Sequence, residues 1–398
     1  MLNGSTVILA VGGGIAAYKA PELVRRLRDE GARVRVLLTR NAQQFVSRLT
    51  LQTLSGEPVA TDLFDLTQES EIGHIDLADS ADAILVAPAT ANVIGKLANG
   101  IADDLLTTVL LATRAPVVLA PAMNVHMYEN QVVQANLENL RSRNCTVIPP
   151  DIGALACGYE GPGRQPDPPV LLEALAGALG SRDLQAESVL ITAGPTREPL
   201  DPVRYLSNRS SGKMGYALAR AARRRGASVS LVAGPTGLET PVGVDFHRVE
   251  TAAEMAARVE ALCETATIVI AAAAVADYAP SDVAAQKAAK AAGGLSLELV
   301  GTKDIVADVV PRRSSLYVVG FAAETQDVLA RAARKRERKK LDMIVANNVA
   351  RAGAGFDVDT NIVTILDRSG SLELPMLSKD EVADRILNRI RENQSSRD

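Results

Sequence analysis

One construction occurs twice in this chain, and it constrains the fold more than any other feature. Residues 6–40 read "TVILAVGGGIAAYKAPELVRRLRDEGARVRVLLTR"; residues 188–199 read "SVLITAGPTREP" and residues 215–234 read "GYALARAARRRGASVSLVAG". Each is an apolar run, a Gly-containing turn, an amphipathic helix, then Gly-Ala and a second apolar run. A right-handed crossover makes the two runs parallel neighbours in one sheet. Two such starts, about half a chain apart, predict two α/β sheets. Between them "GALGSRDLQAES", 177–188, is polar and without apolar periodicity, so the boundary is set near residue 183, with domains 1–183 and 184–398. Further strands are expected at 83–88, 116–121, 267–274, 317–322 and 342–347. Helices are expected at 14–29, 91–99, 103–113, 129–142, 213–225, 252–265 and 325–340. Both halves read as doubly wound sheets, in which ligands bind at the carboxyl ends of the strands.

Composition narrows the function classes. A formal charge of −4 argues against bulk binding to nucleic acid or anionic membrane. The basic run "RKRERKK", 334–340, is one short stretch on an acidic chain with 3% aromatics, a poor base-stacking surface. Three scattered cysteines, Cys145, Cys157 and Cys263, read as reduced thiols in a cytoplasm rather than a disulfide framework. The start runs directly into "STVILAVGGG" without a basic leader, and the most apolar stretch, "IVIAAAAVA" at 268–276, is too short to span a bilayer. The expectation is a soluble cytoplasmic protein.

In the first half, Gly12-Gly13-Gly14 precede a helix, as a tight turn or as a backbone approach to a phosphate at a helix N-terminus. Thr39 and the stretch "APATAN", 87–92, follow other strands and bring small hydroxyls and amides to the same rim. His74 reads as a surface histidine or a base, Asn124 as a helix N-cap or an amide facing the crevice. Cys157 lies in "LACGYEGPGR", either an inert loop thiol or a proton donor on a Gly-rich flap.

These motifs together, "GGIAAYKAPELVRRL", "GHI", "APATANVIGKLANGIADDLL", "PAMN" and "ACGYEGPGR", resemble the phosphopantothenoylcysteine decarboxylases, among the homo-oligomeric flavin-containing cysteine decarboxylases, over residues 5–180. The resemblance implies a flavodoxin-like fold with FMN between the subunits of a trimer. It implies His74 as the active-site base, Asn124 holding the substrate carboxylate and Cys157 donating a proton in the final reduction. The cofactor would meet Gly13, Gly14, Thr39, Pro88 and Thr90. Gly12 departs from the pattern, which has a flavin-contacting Ser there.

The second half holds "SNRSSGKMG", 207–215, a polar loop running into a helix. A Walker loop would need Gly at 207 and a hydroxyl at 214, where Ser207 and Met214 stand. By itself Asn208 reads as turn chemistry, and Asp277, beyond the apolar run, as a cap or a metal-facing carboxylate. Arg331, Lys335 and Lys339 fall on one helical face, either solvated or phosphate-binding. This loop, with "AAAAVADY", "VVGFAAET" and "LDMIVANNV", resembles the phosphopantothenate–cysteine ligases over about 188–392.

Their Rossmann-like domain implies Asn208 at the carboxylate being activated, Asp277 on the nucleotide and Mg²⁺, Phe321 near the base, and Lys335 and Lys339 on the triphosphate. The family's Lys-x-Lys-Lys motif stands here as Lys287-Ala288-Ala289-Lys290, without its middle lysine. Lys287 takes the role of assisting cysteine's attack. The fused halves resemble the bifunctional coenzyme A biosynthesis proteins. These imply 4′-phosphopantothenate, cysteine and CTP as small-molecule substrates, with no nucleic acid and no membrane as partner. They also imply trimeric decarboxylase contacts combined with dimeric ligase contacts, a dodecamer among the options. One rival reading is an unrelated flavin or nicotinamide oxidoreductase, without a G-x-G-x-x-G fingerprint to support it; a second is a non-catalytic module whose flavodoxin-like half binds a partner as a regulatory subunit.

Overall fold

The first apolar run, Thr6–Val11 (β1), is an inner strand of a five-stranded parallel sheet. Its partners are Arg33–Leu38 (β2), Ala83–Ala89 (β3), Val117–Pro121 (β4) and Thr146–Val147 (β5), in the order β2-β1-β3-β4-β5. That is the flavodoxin order, with its switch point between β1 and β3. The computed structural model describes residues 2–63, 73–156, 158–287, 296–309, 315–324, 327–348, 355 and 358–395. Contacts within the chain divide it into two units, Met1–Gly180 and Ser181–Asp398.

Alternation along β1 shows why the sheet is covered on both faces. Val7, Leu9 and Val11 join one core with Leu23, Val24 and Leu27 of the helix Ala20–Asp29. Ile8 and Ala10 join the opposite core with Val93, Ile94 and Leu97 of the helix Ala91–Ala98. Period-2 side chains that are apolar on both faces are what a parallel sheet between helical layers requires.

In the second unit, Ser188–Ala193 (β6) is flanked by Ser228–Ala233 (β7) and Ile268–Ala271 (β9). Asp245–Arg248 (β8), Tyr317–Glu324 (β10) and Met343–Asn348 (β11) extend the parallel part. Val363–Asp367 (β12) and Gly370–Glu373 (β13) add an antiparallel edge. The order is β8-β7-β6-β9-β10-β11-β12-β13. Its first six strands have the Rossmann 3-2-1-4-5-6 order. One face packs on the helices Lys213–Arg224 and Lys379–Ser395, the other on Ala252–Cys263.

The elements correct several expectations. The helix expected at 129–142 starts at Gln131 and runs to Ser142, because Asn130 caps it by accepting the Val132 N–H, and a separate short helix, Val125–Tyr128, precedes it. The helix expected at 325–340 spans Val328–Arg338. The polar connection begins later than 177, since Pro168–Leu179 is a helix too uniformly apolar to carry a 3.6-residue pattern. No helix among the described residues is long and apolar enough to cross a membrane. Cys145 and Cys263 form no disulfide, and Cys157 lies outside the described residues.

Candidate functional site

The carboxyl ends of β1, β2 and β3 surround a cavity of about 600 Å³ lined by Gly13, Gly14, Thr39, Arg40, Thr90 and Met123, among others. That volume lies within the usual range for small-ligand sites. The turn after β1 beside it is packed too tightly for side chains. An ideal Cβ at Gly12 would lie 2.5 Å from the Pro88 carbonyl oxygen, which accepts the Gly12 N–H at 3.1 Å. At Gly13 a Cβ would lie 2.3 Å from Asn41 Cβ. Close packing within the protein therefore requires glycine at both positions, and Gly13 and Gly14 bring the turn to the cavity wall. Thr90 caps the helix Ala91–Ala98 by accepting the Val93 N–H at 3.4 Å.

Lys96 lines the same cavity, held by Asp103 at 2.7 Å and Asp104 at 3.1 Å. Its hydrogen bond to Asp103 raises the ammonium pKa against the opposing effect of burial. It is a balanced charge, and Asp104 meanwhile caps the helix Leu105–Ala112 through Thr107.

The expected catalytic residues sit elsewhere in this unit. His74 is half-buried on the helix Gly73–Ser80 and does not line the cavity. Asn124 is the N-cap of Val125–Tyr128, accepting the His126 N–H at 2.9 Å, and neighbours the lining residue Met123 without lining the cavity itself. Pro88 contributes its carbonyl to Gly12 rather than a lining surface.

The second unit carries a cavity of about 640 Å³ that gathers Asn208, Asp277, Phe321, Lys335 and Lys339. The loop quoted above enters the helix Lys213–Arg224 through Gly212, at φ 77°. That left-handed conformation suits glycine, and the first helical residues, Lys213, Met214 and Gly215, line the cavity. Asn208 donates from Nδ2 to the Val275 carbonyl at 2.9 Å and to the Ala274 carbonyl at 3.4 Å, so the segment after β9 fixes its amide. Asp277 is exposed at the rim, and its carbonyl accepts the Thr302 N–H at 3.0 Å.

Phe321 lies inside β10 rather than after it, partly buried against the core, and its carbonyl accepts from Lys335 Nζ at 2.9 Å. Lys339 pairs with Asp304 at 2.8 Å and Lys213 with Asp359 at 2.7 Å. The hydrogen bond from Lys213 holds the Asp359 carboxyl below its ordinary range. Lys287 is exposed and does not line the cavity, Arg331 does not line it, and Lys290 lies outside the described residues.

Sequence reasoning missed Lys213, Thr302, Asp304, Asn361 and Lys379 here, and Arg40, Asn41 and Lys96 in the first unit. Arg40 and Asn41 were findable as the continuation of Thr39 past a strand end. Asp304 carried no local signal, because its loop reaches the cavity only through long-range hydrogen bonds. Among the described residues no group of three or more His, Cys, Asp or Glu could hold a metal ion. A Mg²⁺ ion here would depend on substrate phosphates and one or two carboxylates such as Asp277.

A flavodoxin-ordered half with a glycine turn at its cavity and a Rossmann-ordered half with a lysine-rich cavity define a two-site α/β enzyme. Residues 1–180 match the Flavoprotein family model, and residues 184–394 match the DNA/pantothenate metabolism flavoprotein C-terminal domain. The chain belongs to the family of the coenzyme A biosynthesis bifunctional protein CoaBC. It is 50% identical to the Bacillus subtilis protein of that name, over 98% of this chain and 97% of that one. Identity to the Vibrio cholerae protein is 48%, over 98% and 99%. The crystallised C-terminal domain of a CoaBC is 41% identical, with a TM-score of 0.47, covering 54% of this chain and 100% of that one. The chain is thus a bifunctional enzyme with a flavoprotein decarboxylase half and a ligase half.

Proposed function

We propose that the C-terminal unit joins 4′-phosphopantothenate to cysteine through an acyl-cytidylate formed from CTP with Mg²⁺. The N-terminal unit then decarboxylates the product to 4′-phosphopantetheine with FMN. The carrying observation is that Asn208, Asp277, Phe321, Lys335 and Lys339, distant in sequence, line one cavity of the second unit.

A carboxylate becomes an amide only after its oxygen gains a leaving group, which nucleotidyl transfer supplies by releasing pyrophosphate. Asn208 meets the carboxylate and acyl-nucleotide through its side-chain amide. The N–H groups that begin the helix after Gly212 donate to a phosphate or carboxylate. Lys335 and Lys339 face the triphosphate, Phe321 the base, and Asp277 the Mg²⁺. Lys287 assists cysteine's attack, which requires its exposed segment to move in over the cavity.

Loss of CO₂ leaves electrons on carbon that need a sink. The substrate's cysteine nitrogen is acylated, so a Schiff base is closed to it. Oxidation of its thiol to a thioaldehyde places a sink beside that carbon, and the resulting enethiol is reduced by the same two electrons. FMN, when bound, supplies this two-electron exchange. Gly13, Gly14, Thr39 and Thr90 would hold it. His74 acts as base, Asn124 holds the carboxylate and Cys157 returns a proton. His74 and Asn124 stand outside the lining of the cavity in one chain, which supports a trimer whose neighbouring copy completes the site. Dimeric ligase contacts would then build a larger closed assembly, a dodecamer, in the cytoplasm.

The test supplies 4′-phosphopantothenate, cysteine, Mg²⁺ and each nucleotide in turn. Pyrophosphate and CO₂ should both appear with CTP, and the purified protein should be yellow. Ligation with ATP alone overturns the choice of nucleotide. A colourless protein that FMN cannot reconstitute overturns the flavin reading.

A further inference from the structure

Lys339 is the residue just past the helix Val328–Arg338, where a long side chain has no helical neighbours ahead to restrain it. Even so its ammonium is well fixed. It lies 2.9 Å from Asp304 Oδ1 and 2.8 Å from Oδ2, with the side chain 17% exposed. Asp304 in turn is anchored from two directions. Its Oδ1 accepts the Ala307 N–H at 3.2 Å, capping the turn that follows. Two residues earlier, Thr302 donates its N–H to the Asp277 carbonyl at 3.0 Å and its hydroxyl to the Ala276 carbonyl at 2.6 Å. The neighbouring Lys303 is drawn elsewhere, to Asp308 at 3.1 Å and Glu260 at 3.5 Å. Burial opposes the charge of Asp304, but Lys339 and the Ala307 N–H outweigh it and hold the carboxyl below its ordinary range.

We propose, resting on the nucleotide reading of this cavity, that Asp304 is a positioning residue that clamps the Lys339 ammonium toward the triphosphate. An ammonium has three N–H donors; with one given to Asp304 Oδ1, donors remain for phosphate oxygens. The clamp removes the rotamer freedom that phosphate binding would otherwise have to restrict. It also places the loop that carries Asp304 on the same rim as Asp277, through Thr302.

Asp304→Asn keeps the oxygen that accepts the Ala307 N–H, so the cap survives, and removes the charge that holds Lys339. CTP binding to the full-length holoenzyme is measured by calorimetry with and without Mg²⁺, beside steady-state ligation. The Asn variant should raise Kd and KM for CTP by about tenfold, as expected for loss of one charge-assisted contact, with kcat within about twofold. The same factor should appear without Mg²⁺, Asp304→Glu should recover most of the loss, and CO₂ release from supplied substrate should be unchanged. In a Lys339→Met background, Asp304→Asn should cost nothing further, since the two residues act as one unit.

Unaltered CTP affinity in Asp304→Asn, or an additive loss in the double variant, overturns the clamp. A loss seen only with Mg²⁺ also overturns it, by making Asp304 a metal ligand. If the wild-type protein binds no CTP, the nucleotide reading itself fails and takes the clamp with it. Those outcomes are distinct from a variant-specific null result.

Discussion

The two cavities differ in how their lysines are held. Beside the N-terminal one, glycines 12 and 13 are pressed against Pro88 and Asn41, and the lining Lys96 is balanced by two carboxylates. In the C-terminal one each lysine has a partner of its own: Lys339 has Asp304, Lys213 has Asp359 and Lys335 has a main-chain carbonyl. The difference teaches that a flavoprotein decarboxylase half and a ligase half can stand on two sheets of one chain with differently anchored cations.

The largest expected effects would break the comparison outright. His74→Asn should abolish CO₂ release, a loss on the order of 10²–10⁴-fold for a removed general base, while pyrophosphate release stays at the wild-type rate. Asn208→Asp should stop acyl-cytidylate formation and leave decarboxylation of supplied substrate intact. Both are read in one coupled assay of pyrophosphate and CO₂. Loss of both products in either variant would mean that the two sites are not separate.

Stability changes should sharpen it at a smaller scale. Leu9 and Ile191 are each fully buried at the centre of one sheet. Leu9→Ala and Ile191→Ala should each cost about 2–5 kcal/mol. Denaturant unfolding followed by flavin fluorescence should respond to the first, and followed by nucleotide binding to the second.

The smallest effect concerns acid. Asp183, beside the start of the second unit, has its pKa lowered from 3.8 to about 2, chiefly by its hydrogen bond from Arg225. A carboxyl depressed on folding stabilises the folded state fully above its unfolded pKa, and that contribution disappears as pH falls through its folded pKa. Asp183→Asn should therefore flatten the loss of stability between pH 3.8 and about 2, seen as a urea midpoint that varies less with pH. With the carboxylate partly exposed, the change should be modest.

The parallel core was legible because its signals are local: Thr6–Val11 and Ser188–Ala193 announce themselves by apolar runs ending in glycine. The edge strands β12 and β13 were not, since "NIVTILDRSG" alternates only weakly and its outer strand is fully exposed. The same divide runs through the cavities. Asn208, Asp277 and Lys335 follow strands or lie on a patterned helix, so position alone brought them to one rim. Asp304 reaches that rim only because Thr302 is bonded to Ala276 and Asp277, 25 or more residues earlier in the chain. A reader of sequence sees "GTKDIVADVV" as an unremarkable turn into a short helix.

Finally, the close approach at Gly12 ties the history of two segments together. A serine at that position would drive its Cβ into the Pro88 oxygen unless residues 87–90 also retreat. Any grafting of a relative's first loop into this protein must transplant both segments as a pair, and a screen that varies position 12 in isolation should return glycine almost every time.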